Sequence, residues 1–436
     1  MTRSTPCRTL AGLPIAIVAI LFLTFAVMPA PAQTLNVLHA FTGGGDGAYV
    51  SAGLTPDAAG NFYGTTFGGG SYGCGGLGCG TVYRLVRHGS SWTETPIFVF
   101  HGGSDGGYPW GRVIFGPDGS LYGTAEVGGA GQCGFGGVPG CGVVYRLQPP
   151  PTTCKSILCY WKETVLYSFA GGSDGANPAA EVAFDAAGNL YGTTLGGGAQ
   201  NKCDGGCGTV FELSPNKDGS WSETRLYAFQ WGTTDGATPA GGVVLDAAGN
   251  VYGTTVDGGP GCYSEGCGAV YKLTASGSGW SESILQFFNG TGLAEPEGGL
   301  IFDRARNLYG VTAGYAPSGG VYELSPGQGG WTFTTLHAFQ SGEAANSWAR
   351  LTLDPSGNLY GASQQGGAYG NGTVFKLTPS NGAWTYSSMH DFNLNANEPG
   401  TLYGAVVLDA SGNIYGTADA GPFDEGGEGA AFEITP

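Results

Sequence analysis

The stretch Asp185–Thr194, DAAGNLYGTT, decides the architecture, because close copies of it recur along the chain. Asp57 opens DAAGNFYG, Gly116 GPDGSLYG, Asp246 DAAGNVYG, Asp303 DRARNLYG, Asp354 DPSGNLYG and Asp409 DASGNIYG, which makes seven copies. Their tyrosines are Tyr63, Tyr122, Tyr191, Tyr252, Tyr309, Tyr360 and Tyr415, spaced by 51 to 69 residues. A period above about 50 built from short β-like segments points to a propeller and not to a helical solenoid. In the fourth unit four such segments follow one another: GGVVLD (241–246), NVYGTT (250–255), GAVYKL (268–273) and WSESILQFF (280–288). All are rich in β-branched and aromatic residues and are separated by turn formers. Asp-x-x-Gly-Asn is then the tight turn between the first two strands, where Asp and Asn bond the local backbone and Gly accepts positive φ.

The ends of the chain predict how the ring closes. Six units end in a strand led by Trp (Trp92, Trp161, Trp221, Trp280, Trp331, Trp384), whereas the seventh stops after GAAFEI at Ile434. The missing strand lies at the other end, since QTLNVLHAF (33–41) aligns with WTFTTLHAF (331–339). The expected fold is all-β: a seven-bladed β-propeller with four antiparallel strands per blade, closed by residues 33–41 as the outer strand of the last blade. Its blades begin near residues 51, 110, 179, 240, 297, 348 and 403 of a single domain, 33–436. The outer-strand tryptophans are expected to pack between blades.

The phrase D-x-x-G-N-L-Y-G-T-T, followed by a Gly-rich loop and G-T-V-F-x-L, resembles the GloVer tandem repeats of secreted bacterial proteins described as choice-of-anchor, across essentially the whole chain after residue 32. The resemblance implies export and carries no activity with it. Such proteins often end in an anchoring segment, whereas this sequence ends at Pro436 straight after a blade strand, so release or periplasmic retention is expected. The chain is also more loosely similar to NHL-type propellers, whose first two blade strands flank a comparable turn.

The first 32 residues read as a signal peptide: Arg3 and Arg8, a largely apolar run over 10–27, and Ala30-Pro31-Ala32 as the cleavage site before Gln33. Without them the formal charge moves from −17 to −19, so nucleic acid and anionic membranes are poor partners and no membrane insertion is expected after cleavage. Divalent cations or neutral ligands suit such a surface better. Apart from Cys7, the cysteines fall into five close pairs: Cys74 with Cys79, Cys133 with Cys141, Cys154 with Cys159, Cys203 with Cys207 and Cys262 with Cys267. In an oxidising compartment these read as local disulfides clipping Gly-rich loops; a zinc site would need two pairs side by side.

A propeller assigns every loop to one of two faces. The Asp-x-x-Gly-Asn turns share the uniform face; the loops after Tyr-Gly-Thr-Thr and the crossings between blades share the variable one, where binding is expected. The crossings GGGDGAYV, GGSDGGYP, GGSDGANP and GTTDGATP present Asp46, Asp105, Asp174 and Asp235. Each is an Asp-Gly turn residue or a weak calcium ligand, calcium being the one cofactor considered. Nearer the axis, the first strands place Trp110, Arg112, Glu181, Glu297, Trp348, Arg350 and Tyr403 at two equivalent positions. Either these line a ligand pocket at the channel mouth, or Arg112, Glu181 and Arg350 form ion pairs filling a wet channel.

No nucleophile motif, phosphate loop or paired-carboxylate spacing is present in the sequence. The leading expectation is a secreted, monomeric binding or scaffold protein that holds an extracellular glycan, peptide or small molecule on the loop-rich face. A polysaccharide lyase, hydrolase or lactonase-like propeller enzyme using the mouth Arg and Glu is the alternative from another class. A structural surface-layer or matrix role would fit the 85 glycines.

Overall fold

In the recurring turn one carboxylate gathers four donors. Asp246 Oδ1 accepts from the backbone N–H of Ala248 at 2.8 Å and Asn250 at 3.0 Å; Oδ2 accepts from the Asn250 amide at 2.7 Å and the Tyr252 hydroxyl at 2.9 Å. The same set recurs around Asp57, Asp185, Asp354 and Asp409. In the divergent second copy Asp118 takes over and still reaches the Ser120 N–H and the Tyr122 hydroxyl.

The remainder of the phrase has equally local causes. The Gly after each Tyr makes room for an aromatic ring on the next strand: a Cβ on Gly64 would stand 2.4 Å from the Tyr83 hydroxyl. The first Thr joins blades, because the hydroxyls of Thr65, Thr124, Thr193, Thr254 and Thr417 donate to the carbonyls of Gly111, Ala180, Gly241, Gly298 and Ala52 in the next blade. The ten-residue phrase therefore makes a turn, seats a ring and ties two blades together.

The computed structural model describes residues 1–2, 33–151, 161–199, 203–262, 265–277, 279–290, 292–314, 319–422 and 427–435. Residues 3–32 of the expected signal peptide lie outside them, and so do Cys154 and Cys159. Residues Gln33–Pro436 form a seven-bladed β-propeller of four-stranded antiparallel sheets. Blade 1 runs Thr55–Pro56, Phe62–Thr66, Thr81–His88 and Ser91–Val99. In the last blade Thr34–Ala40 pairs antiparallel with Ala430–Thr435, from Thr34 opposite Thr435 to Ala40 opposite Ala430, so the two ends of the chain close the ring as expected.

The innermost strands are shorter than expected. In blade 4 only Val244–Leu245 joins the ladder, not the whole of 241–246. The preceding residues leave the sheet toward the channel, and there their carbonyls accept the threonine hydroxyls of the neighbouring blade.

The core lies between blades. Tyr63 packs its ring 5.2 Å from Phe115 and 5.9 Å from Trp161 of the next blade. Equivalent contacts join Tyr122 to Trp221, Tyr252 to Trp331, Tyr309 to Trp384 and, across the closure, Tyr415 to Trp92. Each such ring pair contributes about 1 kcal/mol beyond the area it buries.

Candidate functional site

Each crossing reaches the channel through one left-handed residue. Tyr49, Tyr108, Asn177, Thr238, Glu295, Asn346 and Thr401 occupy the same place in the seven blades, with φ between 55° and 60°. A side chain in that conformation costs about 1 kcal/mol or more, so neighbouring contacts must hold it. They do so on both sides. The N–H groups of Tyr108, Asn177, Thr238 and Glu295 donate to the carbonyls of Cys79, Cys141, Cys207 and Cys267 in the preceding blade. Their own carbonyls accept from the N–H of Glu126, Leu195, Val256 and Ala313, the residues just after the second strand.

The half-cystines in question are fully buried and belong to Cys74–Cys79, Cys133–Cys141, Cys203–Cys207 and Cys262–Cys267, local disulfides as the sequence predicts. Five such bridges are expected from the sequence, and the described residues hold these four. The fifth, expected between Cys154 and Cys159, lies in 152–160, outside the described residues. The four cystine-clipped loops thus brace the segments that line the channel.

Two residues after each left-handed position comes the mouth lining. All seven residues singled out from the sequence, Trp110, Arg112, Glu181, Glu297, Trp348, Arg350 and Tyr403, surround the channel. They form two tiers. In the deeper one Glu181 Oε2 accepts from Arg112 Nε at 2.8 Å and Oε1 lies 2.6 Å from a terminal nitrogen of Arg350, linking blades 2, 3 and 6. Burial alone would raise the Glu181 carboxyl, but the two guanidinium groups outweigh it and hold it below the usual glutamate range. With both oxygens committed and its proton already lost, Glu181 is a poor general acid or base.

The upper tier is aromatic. Tyr403 stands between Trp110 and Trp348, 5.5 Å from each, and Phe67 lies 5.3 Å from Trp110 while stacking on Tyr108 at 4.3 Å. The Trp348 indole N–H donates to Asn346 at 2.9 Å, which sets its ring. Together with Ala179, Leu195, Ala240, Glu126 and Glu297 these rings enclose a cavity of about 260 Å³. Glu126 is only 6% exposed, and neither carboxyl has a hydrogen-bond partner among the described residues. Burial pushes Glu126 up to about 7; burial, then Glu295 and Asp257, push Glu297 up to about 8. Glu126 and Leu195 also line a second pocket of about 450 Å³ that includes Trp231, Asp257 and Glu265.

Phe67 and Glu126 were not among the residues that the sequence singled out. Their signal is the position four residues after the phrase tyrosine, which varies as freely as the first-strand positions: Phe67, Glu126, Leu195, Val256, Ala313, Gln364 and Asp419.

The crossing aspartates are not brought together. Asp46 accepts from the Thr42 N–H and hydroxyl and pairs with His39; Asp105 accepts from the His101 and Gly103 N–H groups. Asp174 serves the Ala170 N–H and the Tyr167 hydroxyl, and Asp235 the Gln230 and Gly236 N–H groups. Among the described residues no group of three or more His, Cys, Asp or Glu is placed to hold a metal ion, and no helix is long and apolar enough to cross a membrane.

The family model described as the Gloeobacter/Verrucomicrobia repeat matches residues 23–263 and 261–436. The chain belongs to this repeat family. No curated protein matches it. Among solved structures it is similar to a periplasmic gluconolactonase from Pseudomonas aeruginosa, with 14% identity, 84% of this chain and 97% of that one covered, and a TM-score of 0.49. A candidate 6-phosphogluconolactonase from Bacteroides uniformis shows 17% identity over 77% and 84% of the two chains, with a TM-score of 0.48. The extracellular domain of a candidate one-component system from B. thetaiotaomicron shows 11% identity over 91% of this chain and 40% of that one, with a TM-score of 0.49.

Proposed function

We propose that this repeat propeller is an exported binding protein that seats a small ligand, or one terminus of a glycan or peptide, in the aromatic cavity at the channel mouth. The observation that carries this reading is the cavity of about 260 Å³ walled by Phe67, Trp110, Trp348 and Tyr403. Concave, mostly apolar sites with a few convergent polar groups are where proteins hold small molecules. The Arg112–Glu181–Arg350 triad acts as a charged floor in which both guanidinium groups share the Glu181 carboxylate. Export is supported by the four local disulfides, which persist in oxidising compartments. Cleavage before Gln33 is the matching expectation, and N-terminal sequencing of the exported protein reads it directly. In this view the protein is a monomer with no nucleic-acid partner.

The site is tested by titrating tryptophan fluorescence with a panel of oligosaccharides, short peptides and small amines, with and without calcium. A true ligand should lose about 2 kcal/mol or more of affinity on Trp348→Ala. Equal binding to Trp348→Ala and Trp110→Ala proteins that melt like the parent moves the site away from the mouth.

A further inference from the structure

We propose that the mouth cavity recognises an organic cation, a quaternary or tertiary ammonium group of about choline size, with Phe67, Trp110, Trp348 and Tyr403 as walls and Glu126 and Glu297 as counter-charges. The inference rests on the mouth being the binding site and names the class of ligand it takes.

The first support is the arrangement of the rings. Tyr403 is inclined at 73° to Trp110 and 80° to Trp348, and Phe67 at 86° to Trp110. Four aromatic side chains thus line one cavity at steep mutual inclinations rather than as one flat platform. Several aromatic walls around one void are the arrangement by which proteins hold quaternary ammonium groups.

The second is the pair of acids. Glu126 is more than nine-tenths buried, lines the cavity and has no donor among the described residues; Glu297 lines it too and likewise has none. A buried carboxyl without donor or counter-ion is costly and avoids the cost by keeping its proton. A cation in the cavity supplies the missing partner.

The third is the surrounding charge. Glu295 and Asp257 add negative field at Glu297. The positive groups below, Arg112 and Arg350, are committed to Glu181. They leave one positive charge over, but neither guanidinium lines the upper cavity. The remaining titratable groups around the two acids are Asp204 and Glu265, which line the larger pocket with Glu126, the hydroxyls of Tyr108 and Tyr403, both held above the ordinary tyrosine value by burial first, and Asp419 beside Tyr403.

Calorimetric titration of the mature chain with choline tests this, set against its uncharged isostere dimethylbutanol, in which carbon replaces the ammonium nitrogen. Choline should bind about tenfold more tightly or better. Glu126→Gln and Glu297→Gln, checked by thermal melts for intact folding, should weaken choline and leave the isostere unchanged. Because empty Glu126 and Glu297 hold protons up to about 7 and 8, choline affinity should rise with pH across that range, with proton release, and level off above it. Equal binding of the isostere overturns the cation while keeping an apolar mouth site. No choline binding, with a neutral oligosaccharide bound and lost on Trp348→Ala, also overturns the cation and keeps the mouth. Choline binding untouched by both Gln variants and by Trp348→Ala overturns the cation site and the mouth site together.

Discussion

The two faces of this propeller use the same functional group in opposite ways. On the turn face Asp57, Asp185, Asp246 and Asp354 are surrounded by backbone, amide and hydroxyl donors; burial would raise them, but the hydrogen bonds prevail and lower their pKa values. On the mouth face Glu126 and Glu297 meet no donor, burial prevails, and both are pushed up. What differs is whether the chain supplies donors within a few residues. A carboxylate served by its own turn is scaffolding, whereas one left unserved in a cavity is open to a partner from outside.

Asp246→Ala should break the turn side of that contrast most severely. It strands the Ala248 and Asn250 N–H groups and the Tyr252 hydroxyl. Denaturant unfolding should show a loss of about 2–3 kcal/mol, with choline affinity unchanged in the folded protein; a loss of affinity as large as that of Glu297→Gln would erase the distinction between the faces.

Replacing Cys262 and Cys267 together by Ser removes a clip across five residues and loosens the Cys267 carbonyl that holds Glu295. The expected cost is about 2 kcal/mol, accompanied by weaker binding at the mouth, since Glu297 follows Glu295. A stability loss with unaltered binding would show that the cystine braces the loop alone.

The smallest effect is read in pH. The turn aspartates, depressed below 3.8, contribute stability that is present above that value and is lost as pH falls through their folded pKa values. Glu297, raised from 4.5 to about 8, works the other way: the folded state holds the extra proton, so stability falls as pH rises between those values. Glu94 and Glu282, also pushed up to about 8 by burial and by Asp46 or Asp235, add to the same trend. Thermal melts should therefore peak at mildly acidic pH, and Glu297→Gln should exceed the parent by about 1 kcal/mol at pH ~9 while matching it at pH ~4. A Glu297→Gln protein that gains nothing over the parent between mildly acidic and alkaline pH would contradict the assignment of a proton to Glu297.

Much of this was legible from local sequence. Asp-x-x-Gly-Asn makes its bonds within six residues, four cystines close over four to eight residues, and QTLNVLHAF matches the other outer strands residue by residue. The fifth expected cystine, Cys154 with Cys159, stays an expectation of the sequence, because neither cysteine is among the described residues. The seven channel residues were found because two first-strand positions carry charges and large aromatics in a chain only 11% charged. Phe67 and Glu126 escaped because they directly follow a phrase whose regularity draws attention to itself. The left-handed residues escaped because Tyr, Asn, Thr and Glu have no common signature for positive φ.

The sequence by itself determined the blade, the turn, the ring closure and the position in each repeat that meets the channel, because all of these follow from contacts within a unit or from a repeated pattern. Only the tertiary structure decided that Arg112 and Arg350 share Glu181 across blades 2, 3 and 6, while Glu126 and Glu297 are left without a partner. Partnership between charges depends on distance through the ring. Residues 69 and 169 positions apart along the chain meet there on one glutamate, and no local pattern encodes which of the converging side chains is satisfied and which is left for a ligand.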